Sequence, residues 1–169
     1  MTTVANVSDL LARRYACRDL GHGVVTVDEI EEILRAGVQA PSALNQQSYF
    51  FYGIQGRSLE LAAQIRPWYG ASALILGCLF GQSWVRPSDQ QSYGNFDLGL
   101  AMMPMALRAT ELGLDSCFIA SFDPHKWQQL LAIPPEHKPV AVLALGFGEP
   151  GVEVKHTRKN VSECRALLN

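Results

Sequence analysis

Charge is scarce in this chain. Asp, Glu, Lys and Arg make up 18% of its 169 residues, below the quarter usual for a soluble domain. The shortage fits a large buried subunit contact, and equally a surface rich in Gln, Ser and Thr; composition alone leaves both open. What charge there is nearly cancels, at a formal net of −2. That excludes the basic footprint a nucleic-acid binder needs. Cysteine is sparse too. Cys17, Cys78, Cys117 and Cys164 show no C-x-x-C spacing, and two of them, Cys78 and Cys117, lie in apolar stretches as buried free thiols do. A reduced, cytoplasmic protein is expected. Long hydrophobic runs are missing. The longest, from Ala71 to Phe80, is too short to span a bilayer and reads as a buried strand. Met1 to Leu11 has no basic region followed by an apolar run, so no signal peptide is read.

The usual reactive constellations are missing as well. His22, His125, His137 and His156 show no metal-ligand spacing, and no metal is expected. No Ser/His/Asp set stands out, and Gly81-Gln82-Ser83 does not form a nucleophile elbow. If the chain is an enzyme, a bound cofactor carries its chemistry.

Hydrophobic residues make up 48%, enough for one domain with a full-sized core. Ser8 opens a short helix to about Arg14, and a loop follows from Asp19 to Gly23. Thr26 and Glu29 form a capping box for a helix to about Gln39, with Ile30, Ile33, Leu34 and Val38 on one face and Pro41 as its stop. Tyr49–Ile54 is an aromatic, β-branched strand; Ser58–Ile65 is a modest helix; Ala73–Phe80 is a central strand. Trp84–Asn95 is polar and irregular, in the manner of a loop or lid over a site. Phe96–Leu112 is a long helix, apolar almost all round and closed by Gly113, which points to burial partly against a second subunit. Then come a strand at Cys117–Ala120, a helix from Asp123-Pro124 to Leu131, a strand at Val140–Leu145, and a terminal helix at Ser162–Leu168. The expected fold is α+β, a mixed or antiparallel sheet of four or five strands with helices around it.

Three segments carry chemistry. Ala40 to Gln47 places Ser42, Asn45, Gln46 and Gln47 together without a charge, at the mouth of a strand. Neutral hydrogen-bonding groups suit the carbonyls and ring nitrogens of an organic ligand. Alone, the same residues also suit an ordinary turn. Arg13, Arg14 and Arg18 form one basic cluster, and Lys155, His156, Arg158 and Lys159 another. Arginine forks match a phosphate monoester bidentately. Gly146, Gly148 and Gly151 spell G-x-G-x-x-G after a strand. The dinucleotide fingerprint needs a helix next, whereas Val152 to Lys155 looks extended and the chain ends too soon for a βαβ unit. A turn leaving the sheet is expected instead.

Together these residues resemble the FMN-dependent nitroreductase family. Arg13-Arg14-Tyr15-Ala16-Cys17-Arg18 is similar to its N-terminal phosphate motif, and Ala40-Pro41-Ser42-Ala43-Leu44-Asn45-Gln46-Gln47 to its A-P-S-x-x-N-x-Q segment. Gly113 to Phe122 resembles its G-L-x-S-C-x-I-x-x-F segment, and Ala144 to Gly148 with Arg158-Lys159 its last strand and basic tail. The resemblance implies a nitroreductase-like fold over residues 1–169 and an intertwined homodimer with FMN at the subunit interface. It implies that Arg14, Tyr15, Ala16 and Arg18, helped by Arg158, meet the phosphate or ribityl chain. Pro41, Ser42, Asn45 and Gln47 reach the flavin from the loop, and Ala120 and Ser121 lie close to the ring. Gln64 and Arg66 are candidates for the pyrimidine edge. The implied reaction takes a hydride from NAD(P)H and passes electrons to a nitroaromatic, quinone or similar small acceptor, with no side chain as acid or base. A reductive dehalogenase, a flavin-processing enzyme and a non-catalytic flavin-binding module stay open. The chain departs from the family's pattern at Ala16, Leu20, Ser48-Tyr49 and Asn160, and its Gly81–Asn95 segment is short.

Overall fold

The computed structural model describes residues 6–152 and 156–168. The elements are α1 (Val7–Arg13), α2 (Val27–Gly37), β1 (Tyr49–Ile54), α3 (Gly56–Ala62), β2 (Ala73–Leu79), α4 (Gly94–Glu111), β3 (Asp115–Ile119), α5 (Pro124–Leu131) and β4 (Lys138–Gly146). The four strands pair in the order β1-β2-β4-β3. Every pair is antiparallel. The α+β expectation therefore narrows to a four-stranded antiparallel sheet.

β2 is apolar along its length because both faces of the sheet are covered. Leu74, Leu76 and Cys78 join one core layer with Ala62 of α3 and Trp127 of α5. Ala73 and Ile75 point the other way, into a layer with Ile30 and Ile33 of α2 and Leu98, Met102 and Met105 of α4. Ile33 is fully buried, a contribution of about 1.5–3 kcal/mol for one side chain.

Local signals set the ends of several helices. The Thr26–Glu29 capping box starts α2, and Asp123 caps α5 with Pro124 in its first turn. Two of the expected boundaries shift by two residues. Asn6, not Ser8, caps α1, accepting the Ser8 N–H. α2 stops at Gly37, so Val38 leaves the apolar face and is half exposed. Trp84–Tyr93 is more ordered than its composition suggests. Val85 bridges Ser92, and Arg86 pairs with Asp89 while donating to the Tyr93 hydroxyl at 2.7 Å. The terminal helix shortens to one 3-10 turn, Val161–Glu163. Beyond it Leu167 and Leu168 are exposed.

Candidate functional site

Sheet register sets the predicted loops relative to one another. Tyr49 pairs with Leu79, and Leu79 with Lys138. At the far edge Ile119 pairs with Val142. β3 therefore runs toward the end at which β1 starts, but Ile119 is level with Leu76 and Tyr52, short of that end. The two strands lie on opposite edges, three strand spacings or on the order of 14 Å apart across the sheet alone. The loop with Ser42, Asn45 and Gln47 leads into β1, and Ala120 and Ser121 follow β3.

The β1-side loop holds an uncommon shape. Leu44, Asn45 and Gln47 all have left-handed backbone, at φ 51°, 55° and 48°. Such conformations cost of order 1–3 kcal/mol each and persist where surroundings over-determine them. The polar side chains supply part of that. Ser42 Oγ accepts the Gln47 N–H at 3.0 Å, and the Gln47 amide donates to Asn45 Oδ1 at 3.0 Å. Asp97, on the first turn of α4, accepts the Ala43 N–H at 3.0 Å. Pro41, Ser42 and Ala43 form one wall of a cavity of about 370 Å³ whose other wall is Trp84, Tyr93 and Phe96. The side chains of Asn45 and Gln47 are exposed.

The N-terminal segment lies along the other edge. Ala16 bridges Ser116 of β3 in parallel, and the Cys17 N–H donates to the Ser116 carbonyl at 3.0 Å. The segment then crosses the end of β4, where Leu20 accepts the Phe147 N–H at 3.2 Å. Two glycines of the G-x-G-x-x-G pattern, Gly146 and Gly148, make room for this crossing. A Cβ on Gly146 would sit 2.3 Å from the Leu20 carbonyl oxygen. One on Gly148 would sit 2.9–3.0 Å from Asp115 Oδ2, Cys17 Sγ and Tyr15 Oη. Tyr15 thus turns toward Gly148 and Asp115, beside a cavity of about 430 Å³. Burial first, then the hydrogen bond with Cys17 and the charge of Asp115, raise its phenol pKa. Ala16 and Arg18 are exposed on this segment, and Arg14 is half-buried.

Arg66 completes this edge. Its guanidinium donates to the Ser121 carbonyl at 2.9 Å and the Ser121 hydroxyl at 2.8 Å. It also lies 5.5 Å from the ring centroids of Trp68 and Tyr69, a cation–π arrangement. Of the two pyrimidine-edge candidates, the structure joins Arg66 to the end of β3. Burial raises the Cys117 thiol pKa, and the nearby charges of Arg18 and Arg66 pull it back down. Cationic side chains from the N-terminal segment and from the α3–β2 connection thus converge near Cys117. Among the described residues no carboxylate pairs with Arg14, Arg18 or Arg66, whereas Arg86 and Arg108 are paired with acids.

The tail returns to the N-terminal segment: His156 Nε2 lies 2.7 Å from the Ala12 carbonyl oxygen. Arg158 bonds within the tail, to the Thr157 carbonyl at 2.8 Å and His156 Nδ1 at 3.4 Å. Lys155 and the extended reading of residues 153–155 lie outside the described residues. Among the described residues no group of three His, Cys, Asp or Glu side chains is placed to hold a metal ion, and no helix is long and apolar enough to cross a membrane.

One side of α4 packs on α2 and the sheet; its other side is open. Phe96 is exposed there, and Gly99 and Met103 line an apolar groove of about 320 Å³ with Phe118 of β3, floored by the buried Leu98 and Met102.

Comparison with known proteins places this architecture. The model of the nitroreductase family matches residues 11–76 and 62–147. Protein DrgA of Synechocystis sp. is 26% identical, over 72% of this chain and 74% of its own. A nitroreductase family protein from Clostridium difficile 630 superimposes with a TM-score of 0.85 at 25% identity, covering 96% of this chain and 98% of that one. A nitroreductase with bound FMN from Bacteroides fragilis NCTC 9343 shares the fold, with a TM-score of 0.76 at 20% identity, covering 98% and 100%.

Proposed function

The chain belongs to the nitroreductase family, and from that premise we propose that it is an FMN-dependent oxidoreductase working as a homodimer. The observation that carries the reading is the β3 edge, where Arg66 holds Ser121, Arg18 and Arg66 both act on Cys117, and no acid pairs with either arginine among the described residues. A phosphate needs donors that are not already neutralised. Arg14 and Arg18 hold the FMN phosphate and ribityl chain, with the backbone of Tyr15 and Ala16 beside them and Arg158 contributing from the tail. Arg66 has lost much of its freedom to Ser121 and the two rings, so little ordering cost is left when it meets the electron-rich edge of the flavin. Ala120 and Ser121 offer their backbone to the ring.

Pro41, Ser42, Asn45 and Gln47 stand at the opposite sheet edge, so within one protomer they do not complete this site. A second copy supplies them. The open side of α4 is the surface on which that copy docks. Its groove is apolar, in keeping with a chain short of charge, and such faces mark subunit contacts. Bound FMN supplies hydride uptake from NAD(P)H and electron delivery to a nitroaromatic, quinone or similar acceptor in two half-reactions. The side chains bind, orient and stabilise charge; none acts as acid or base.

The purified protein tests this directly. It should be yellow or take up added FMN, bleach anaerobically with NADH or NADPH, and recover its colour with a quinone or nitroaromatic. Colourless protein that takes up no FMN overturns the reading. Yellow protein that no nicotinamide bleaches reduces it to a flavin-binding module.

A further inference from the structure

We infer that Asp97 is a positioning residue: from the first turn of α4 it fixes the Ser42–Gln47 loop in the shape that meets the cofactor. The link to the cofactor rests on the flavin reading above; the link to the loop does not.

Asp97 is fully buried. A carboxylate in that position is costly unless a specific partner offsets the desolvation. The partner is the Ala43 N–H, 54 positions away in sequence, at 3.0 Å. The other hydrogen bonds of residues 42–47 run within the loop or to the residue that begins β1. They are Ser42 to Asn45 and Gln47, Ala43 to Gln46, Asn45 to Gln47, and Gln47 to Tyr49. Among the described residues, Asp97 is therefore the hydrogen-bond partner that ties the loop to a separate element. Three left-handed residues sit within four positions of Ala43. Internal bonds can keep that shape, but they cannot hold it against α4.

An acid in the first turn of a helix also complements the helix dipole. An exposed acid does that equally well, so the dipole does not account for full burial or for the bond to Ala43. The second oxygen, Oδ2, is buried without a partner among the described residues, as is the Tyr49 hydroxyl. Asp97→Asn keeps the Oδ1 acceptor and the side-chain shape while removing the charge, so it separates positioning from electrostatics.

The test combines amide hydrogen exchange at Ala43 with FMN titration of the full chain. Asp97→Ala should speed Ala43 exchange and raise the FMN Kd, each about tenfold, while Asp97→Asn stays within about threefold of wild type on both. Ala43→Pro removes the donor from the loop side and suits the extended Ser42 before it, at φ −139° and ψ 159°. It should raise the Kd as Asp97→Ala does, and it decides the matter should Asp97→Ala not fold. Unchanged exchange in Asp97→Ala, or unchanged Kd in Ala43→Pro, overturns the proposal. So does Asp97→Asn falling as far as Asp97→Ala. Wild-type protein that takes up no FMN removes the flavin reading, and the exchange result then still decides whether Asp97 holds the loop.

Discussion

The Arg66 guanidinium is bound twice by Ser121, through the carbonyl at 2.9 Å and the hydroxyl at 2.8 Å. The residues are 55 positions apart, and the contact joins the α3–β2 connection to the end of β3. Removing the arginine and removing the hydroxyl should therefore differ. Arg66→Ala should raise the FMN Kd about tenfold, the loss of roughly one partly exposed charge-assisted contact. Ser121→Ala leaves the carbonyl anchor and the two rings in place, so its Kd should rise no more than about threefold. Fluorescence titration with FMN measures both; equal losses would mean that the hydroxyl itself meets the cofactor.

Arg18 should matter more, since it is exposed and free to meet a phosphate. Arg18→Ala should cost about 1.5–3 kcal/mol of FMN binding, or roughly 10- to 100-fold. The loss should shrink at high salt, where exposed charge is screened. A second readout lies in the protein itself. Burial raises the Cys117 pKa and Arg18 opposes it, so the variant's Cys117 should titrate higher still. Thiol reactivity followed against pH, with the other cysteines replaced, gives that shift without any cofactor.

Gly146 should tolerate no side chain. An alanine there meets the Leu20 carbonyl oxygen, a backbone atom that cannot rotate away. The N-terminal segment must move, at a cost of about 1–3 kcal/mol. For a chain of this size the thermal midpoint should fall on the order of 2–12 °C. Because the displaced segment carries Arg18, FMN affinity should fall as well. Calorimetry and titration on Gly146→Ala check the two together.

Cys78 sets a limit at alkaline pH. Burial pushes its thiol up from 9.0 to about 12. The folded pKa is raised, so this contribution is intact below pH 9. From there the unfolded thiol loses its proton while the folded one keeps it. Stability should then decline by about 1.4 kcal/mol per pH unit until the folded thiol ionises near pH 12. Urea unfolding between pH 8 and about 10.5 should show the wild type losing stability faster than Cys78→Ala, by up to that slope.

The parts legible in the sequence are those written locally. β1 and α5 run where their residues predict, because aromatic and β-branched residues define the one and Asp123-Pro124 the other. The capping box at Thr26 did the same for α2. A cap alone does not make a helix, as the C-terminus shows. Asn160 and Glu163 form a capping box, yet only one turn follows, since a cap starts a helix and tertiary burial must sustain it. Arg66 belongs to no local motif; its place depends on Trp68, Tyr69 and Ser121 meeting in the fold. Asp97 reads as a first-turn acid, and its bond to Ala43 exists only once α4 crosses the loop. The motif spacing likewise says nothing of sheet edges, so it could not separate the arginine side of the site from the loop side.

That separation yields the sharpest test of the homodimer. Arg18 stands by the β3 edge and Asn45 leads into β1, with two strands between. If each site takes Arg18 from one protomer and Asn45 from its partner, Arg18→Ala and Asn45→Ala each damage both sites of a homodimer. In a mixed dimer of the two variants, both lesions fall in one site and the other is wild type. Co-expression with two affinity tags isolates that mixed dimer. It should bind one FMN per two chains at the wild-type Kd, while either parent binds about tenfold or more weakly. A site contained in one protomer gives the opposite result. Every site in the mixed dimer then carries one lesion, and no tight binding returns.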